Sequence, residues 1–186
     1  PSYNVAPTQE IPVIVLQEDE RHIKKRHWAL VPFWAKDISI GSRIINARVD
    51  TVTSKPAFRA ALKQLRCLIP ANGFYEWFGK AGNKQPYYFH LPSGEPLAFA
   101  GLYEIWEDKE APPEAGPYKS CTIITTNASE SVKDIHNRMP LILKPEAYED
   151  WLDLNTKEPA NFKELLKTAY VKELNRYPVS KLVNQV

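Results

Sequence analysis

The sequence predicts an α+β domain built on a mostly antiparallel, curved, barrel-like β-sheet with peripheral helices. Three observations carry that expectation. Short segments rich in β-branched and aromatic residues recur along the chain, separated by turn-forming residues. Their connections are shorter than the roughly dozen residues that a parallel crossover needs, so sequential strands run antiparallel. Sixteen prolines against seven glycines in 186 residues favour short elements and stiff turns over long helices. The length fits a single domain covering residues 1–186.

Taken in order, residues 11–16 (Ile-Pro-Val-Ile-Val-Leu) read as a strand and Gln17-Glu-Asp-Glu20 as a polar turn. Residues 21–31 read as a returning strand with a basic edge, running into the aromatic stretch Trp28–Trp34, which Pro32 interrupts. Residues 43–49 look like another strand. A helix is expected over about 54–65, with Ser54 as N-cap and Pro56 in its first turn. A meander follows, with strands at Cys67–Ala71, Phe74–Phe78, Tyr87–Leu91, Leu97–Tyr103 and Ser120–Thr126. Gly79–Lys84 and Pro92–Glu95 supply turn chemistry within it. The acidic, proline-bearing stretch 107–117 reads as a mobile surface loop. Helices are expected near 145–153 and 159–168, each with proline in its first turn.

The hydrophobic content of 44% and aromatic content of 11% suffice for a packed core and argue against disorder. No apolar run is long enough to span a bilayer, and the first residues lack the basic-then-apolar pattern of a signal peptide. With only Cys67 and Cys121, neither in a CxxC pair, a reducing cytoplasm is the expected location. The net charge of +2 hides an asymmetry: residues 21–66 hold 11 basic and 2 acidic side chains. Such a block suits a polyanion, nucleic acid being the commonest, or a solvated basic face balanced elsewhere.

Several chemistries find no support. There is no GxGxxG, no GxxxxGK[ST] and no GxSxG. The four histidines and two cysteines lack zinc spacing, so neither cofactor nor metal is expected. What remains is polar residues set in apolar segments. Glu76 lies within Phe74-Tyr-Glu-Trp-Phe78, and strand alternation places it on one face with Phe74 and Phe78. Desolvation there raises a carboxylate's pKa towards the range of a proton-transfer group; the alternative is a strand glutamate pointing to water. His136 and Arg138, within Asp134-Ile-His-Asn-Arg-Met-Pro140, read as an acid/base and an anion clamp, or as a helix-end histidine beside a surface arginine. Asn46 and Arg48 share a strand face, ready for a phosphate diester or a neighbouring carboxylate. Trp28 and Trp34 beside the basic strand suit base stacking, although at least one of them is expected in the core. Cys67, Cys121 and His90 read as structural.

These clusters, in order, resemble the SOS-response-associated peptidase family. The resemblance runs over essentially the whole chain: Tyr3-Asn4-Val-Ala-Pro7, Trp28-x-x-x-Pro32-x-Trp34, Ile45-Asn46-Ala-Arg48 and Cys67-Leu-Ile-Pro-Ala-Asn-Gly-Phe-Tyr-Glu76-Trp77. It continues through Thr125 and Asp134–Pro140 to Pro178-Val-Ser180. It implies the family's fold and a monomeric sensor of abasic sites in single-stranded DNA. In that family an N-terminal cysteine condenses with the ring-opened sugar aldehyde and closes a thiazolidine, a covalent DNA–protein crosslink. Autopeptidase and weak strand-cleaving lyase activities go with it. By carry-over, Asn46, Glu76 and His136 are the implied catalytic residues, with Asn4, Pro7, Trp34, Arg48, Thr125 and Arg138 contacting DNA. The cysteine belongs upstream of Tyr3, and is expected on a segment preceding Pro1. Two other functions compete: a noncatalytic single-stranded DNA-binding module, and a thiol peptidase acting on proteins. Asn46, Glu76 and His136 are expected to line one concave, partly desolvated pocket.

Overall fold

The computed structural model describes residues 3–155 and 170–185. The helix expected over 159–168 lies outside them. In chain order the elements are β1 (Glu10–Gln17), β2 (Glu20–Trp28), β3 (Asn46–Arg48), α1 (Arg59–Gln64), β4 (Arg66–Ala71), β5 (Phe74–Phe78) and β6 (Gln85–His90). They continue as β7 (Leu97–Trp106), β8 (Tyr118–Asn127), β9 (Arg138–Pro140), β10 (Ile142–Leu143), α2 (Tyr148–Leu152) and β11 (Asn175–Pro178).

β1 and β2 form a hairpin whose turn residues, Glu18 and Asp19, both have positive φ (52° and 61°). That turn matches the right-handed twist of the two strands. From there β1 pairs with β4, β4 with β7 and β7 with β8, all antiparallel, and β8 returns to β2. The result is a closed five-stranded barrel. A ring of five cannot alternate direction at every seam, so one seam must be parallel. It is β2–β8, held by only two residue pairs, His27–Ser120 and Trp28–Cys121. β3 extends parallel pairing along β8, and β9 pairs antiparallel with the end of β8. A second sheet, β11–β6–β5, is antiparallel throughout.

Strand alternation sorts the apolar side chains into two cores. Ile11, Val13, Val15, Cys67, Ile69, Phe99, Tyr103, Cys121 and Ile123 fill the barrel. The opposite faces of the same strands, through Leu68, Ala100, Leu102 and Ile124, pack under Ala61 and Leu62 of α1 and Trp151 and Leu152 of α2. The inner core continues into the second sheet: Phe74 stacks on Phe89 (5.1 Å) and meets Phe99 edge-on (6.1 Å). Gly73 permits this join, since a Cβ there would sit 2.2 Å from the Phe89 carbonyl oxygen. Among the described residues no helix is long and apolar enough to cross a membrane.

Some elements are shorter than the sequence predicts. The strand expected over 21–31 ends at Trp28, because Val31 N–H leaves the sheet for Ser120 Oγ (2.9 Å) and Leu30 N–H for the Ile44 carbonyl. Instead of a strand from residue 43, Ile38–Arg43 forms a 3₁₀ turn capped by Asp37, whose Oδ1 accepts from Ser39 N–H (2.8 Å). The helix expected from 54 starts at Arg59. Pro56 biases Lys55 away from helical geometry, and Ser54 Oγ donates back to the Thr51 carbonyl (3.1 Å) rather than capping a following N–H. The 145–153 helix is a 3₁₀ turn, Pro145–Ala147, leading into α2.

Arg66 is 1% exposed and fastens the outer layer. Its Nε donates to the Trp151 carbonyl (2.6 Å), Nη1 to that of Leu62 (2.8 Å) and Nη2 to that of Asp153. Those carbonyls lie at the C-terminal ends of α1 and α2, where the backbone dipoles are negative. Replacing Arg66 with Ala should cost about 3–5 kcal/mol in denaturant unfolding, because it strands buried carbonyls and leaves a cavity.

Glu104, 3% exposed, sits on β7 opposite Ser120. The segment leading to Ala35 bonds beside it, at Ser120 Oγ and at Trp106, whose Nε1 donates to the Ala35 carbonyl. Burial raises its pKa to about 7, opposed by a backbone hydrogen bond at Ile105. The folded protein therefore holds this proton more tightly than the unfolded chain. The resulting stability is complete below pH about 4.5 and lost as pH rises to about 7, a fall of about 3 kcal/mol. Glu104→Gln should remove that portion of the pH dependence of unfolding and leave the variant more stable than the parent above pH 7.

Candidate functional site

The polar residues of interest converge where the second sheet meets the end of β8. On β5, Glu76 follows Phe74, whose ring is anchored in the inner core, so the carboxylate is held close to the barrel. Its side chain is 22% exposed. Burial raises its pKa, opposed in order by His136, the Trp77 N–H and Lys84. The expected common face is only partly apolar, since Phe78 is half exposed. His136 Nδ1 lies 3.8 Å from Glu76 Oε1.

His136 stands at the end of a series of turns over 129–137. Its Nδ1 is 3.1 Å from the Arg138 N–H and 2.9 Å from the Arg138 carbonyl. Unprotonated, Nδ1 accepts from the first; protonated, it donates to the second. The ring can therefore change charge without orphaning that nitrogen. The turns are fastened from outside by Arg176 of β11, which forms a bidentate pair with Asp134 (2.5 and 2.6 Å) and donates to the Ser131 carbonyl (2.9 Å). Glu76 and His136 line an open cavity of about 470 Å³ together with Trp77, Gly82, Lys84, Lys181 and Asn184.

Beyond His136 runs a cationic strip. The registers Arg48–Thr125 and Asn127–Arg138 set β3, β8 and β9 side by side. Arg138 donates to the Thr125 carbonyl (2.7 Å), to Thr125 Oγ1 (3.3 Å) and to Asn127 Oδ1 (2.7 Å). Arg48 pairs with Asp50 through two hydrogen bonds (3.1 and 2.6 Å), and Arg138 reaches the same carboxylate at 3.9 Å. Arg48 holds the Asp50 carboxyl down at about 2.

The predicted site residues thus fall in three places. Glu76 and His136 share the cavity, and Arg138, Thr125 and Arg48 adjoin it. Asn46 is not among the cavity's lining residues. It lies exposed on β3, on the same face as Arg48 and roughly 7 Å along the strand, because β3 pairs with β8 rather than with the second sheet. Trp34, 48% exposed, lines a separate shallow cavity with Phe33, Pro56, Arg59 and Ala60. Trp28 is half-buried, its Nε1 donating to the Ile45 carbonyl. Asn4 donates to the Val183 carbonyl (2.8 Å), and Pro7 precedes the turn into β1. Cys67 and Cys121 are buried, and burial pushes the Cys121 thiol up to about 12.

Sequence reasoning missed Asp50, Asn127, Lys84 and Lys181. For Asp50 a signal existed, an acidic residue two positions after Arg48 in a basic stretch; Lys84 and Lys181 gave none, since their place depends on how β5–β6 and the C-terminal turn meet. Because the Asp134–Arg176 pair is partly exposed, Arg176→Ala should cost at most about 1 kcal/mol of global stability. Its effect should appear in hydrogen exchange, faster at residues 132–137 and unchanged in β4 and β7.

The profile of the SOS response associated peptidase (SRAP) family matches residues 1–186. The chain is 44% identical over 185 residues to the abasic site processing protein YoqW of Bacillus subtilis, covering 99% of this chain and 81% of that one. It is 35% identical over 218 residues to the abasic site processing protein HMCES of Gallus gallus, covering 100% of this chain and 63% of that one. A crystal structure of a protein from Bacteroides thetaiotaomicron superposes with a TM-score of 0.80 at 30% identity, over 94% of this chain and 75% of that one. The chain belongs to the SOS response associated peptidase family.

Proposed function

We propose that this protein binds single-stranded DNA at abasic sites and captures the ring-opened sugar covalently. The observation that carries the reading is the Glu76–His136 pair: a desolvated carboxylate 3.8 Å from an imidazole, in an open cavity beside an arginine strip. The names of the relatives support the substrate class. The opened deoxyribose presents an aldehyde. An α-amine adds to its carbon to give a carbinolamine, and loss of water leaves an imine. That dehydration needs a proton delivered to the departing hydroxyl, which a carboxyl with a raised pKa supplies. His136 takes the proton released from the amine, its Nδ1 partnered in both charge states. A thiol on the same residue then adds to the imine carbon and closes a thiazolidine. The nucleophile called for is an N-terminal cysteine upstream of Tyr3, since Cys67 and Cys121 are buried and have no α-amine. The thiol also accounts for autopeptidase activity. While the imine persists, β-elimination can break the strand on the 3′ side; ring closure removes the imine and so keeps this lyase activity weak.

Arg48, Thr125 and Arg138 hold flanking phosphates, Trp34 packs against a base, and Asn46 orients the sugar from β3. The test is a denaturing gel with abasic single-stranded DNA. Residues 1–186 alone should bind the strand without a heat-stable adduct. Protein carrying the upstream cysteine should give an adduct that survives without reductant, and Glu76→Gln should slow its formation by about 10²-fold or more. A stable adduct from residues 1–186 alone would remove the N-terminal cysteine as nucleophile, and an unchanged rate in Glu76→Gln would remove Glu76 as the acid.

A further inference from the structure

The Glu76–His136 cavity has a second wall on which the arginine strip has no place. Gly82 and Lys84 come from the β5–β6 turn, and Lys181 and Asn184 from the 3₁₀ turn Lys181–Asn184. This wall is built from both sides. Lys181 Nζ donates to Asn83 Oδ1 (3.0 Å), joining the two turns directly. Trp77 Nε1 donates to Asn184 Oδ1 (2.8 Å), and Asn4 Nδ2 to the Val183 carbonyl (2.8 Å). Ser180 caps the turn through Leu182 N–H, and Val179 N–H bonds to the Pro86 carbonyl. Five hydrogen bonds thus fix a short segment whose only cationic side chain faces the cavity.

The cations of this chain divide into those held in ion pairs and those that are not. Arg21, Arg48, Lys133 and Arg176 each have a carboxylate oxygen within ion-pair distance. Among the described residues, neither Lys84 nor Lys181 has one. Lys84 acts on Glu76 only from a distance, as one of the influences that lower its pKa. Two ammonium groups lining one open cavity, neither in an ion pair among the described residues, offer an anion site, and ammonium groups hold phosphate as point charges.

We propose that Lys84 and Lys181 bind a phosphodiester of the single strand on the side of the cavity away from Arg138, so that the captured sugar is gripped through its backbone on both sides. This rests on the single-stranded DNA reading above. It adds a polarity: one flanking phosphate lies on the β3–β8–β9 strip and the other on the β5–β6 and C-terminal turns.

The test is fluorescence anisotropy of residues 1–186 with oligothymidylate carrying one stable abasic analogue, titrated over a range of salt. The variant carrying both Lys84→Gln and Lys181→Gln should flatten the log-affinity versus log-salt slope by about 0.7, the value for one phosphate. Lys109→Gln, in the acidic 107–117 loop, should leave it unchanged. Neutral methylphosphonate placed on one side of the abasic analogue should weaken binding by the parent and not by the double variant; on the other side it should weaken both. An unaltered slope in the double variant, or equal flattening by Lys109→Gln, overturns the lysine subsite while leaving the DNA reading intact. If the parent shows no salt-dependent binding to the oligonucleotide, the DNA reading fails and the subsite with it.

Discussion

Arg66 is a buried cation that gathers backbone carbonyls from two helix ends, and the outer layer of the molecule hangs on it. A short helix ends with several carbonyls unbonded, and α1 and α2 are each barely more than one turn long. Neither could stand alone in water. One guanidinium collects the ends of both and sits against the Trp151 ring at 5.7 Å, while Trp151 Nε1 returns a hydrogen bond to Cys67 of the barrel. Burial lowers the Arg66 pKa to about 10, opposed by the nearby Asp153 carboxylate, so the group stays charged at neutral pH. With that layer in place the barrel is clad on its outer face, and its strands can hold polar residues at their ends without losing register.

The site exploits the contrast between the two sheets. The barrel is filled and closed, whereas the second sheet touches it mainly through Phe74, Phe89 and Phe99. Glu76 stands two residues beyond that aromatic anchor, close enough to the core to be desolvated and far enough to open on a cavity. His136 approaches from a turn that is tied to β11 rather than to β5. Glu76 and His136 are therefore positioned by different elements, and their 3.8 Å separation is set by how these elements dock.

Much of this was legible in the chain. The β-branched segment 11–16, the apolar strands at Cys67–Ala71 and Ser120–Thr126, and the short turns within the middle of the chain point to antiparallel strands. Glu76 and His136 stood out because polar residues in apolar segments need a reason. What stayed hidden was long-range. Nothing local announces that β2 and β3 meet β8 in parallel; the β2–β8 seam is imposed by closing an odd number of strands, and β3 joins β8 outside the ring. β9, β10 and β11 are two to four residues long and take their extended shape from their partners, so they left no periodic trace. The 54–65 region misled because Ser54 and Pro56 resemble a helix start, whereas the Ser54 hydroxyl bonds back to the Thr51 carbonyl and Pro56 disfavours helical geometry at Lys55. Asn46 misled differently: its face was read correctly, but the strand bearing it joins the arginine strip and not the cavity wall.

Asp50 gives the arginine strip its own built-in counterion. Two guanidinium groups share one carboxylate, so the strip carries a net charge near +1 rather than +2. An anion arriving at Arg48 displaces part of the chain as well as dissolved salt. Binding there is an exchange of one carboxylate for another oxyanion, and its dependence on ionic strength is weaker than a count of arginines suggests. For the DNA strand proposed above, the strip is then an easily vacated surface, and residence is decided by what happens in the neighbouring cavity.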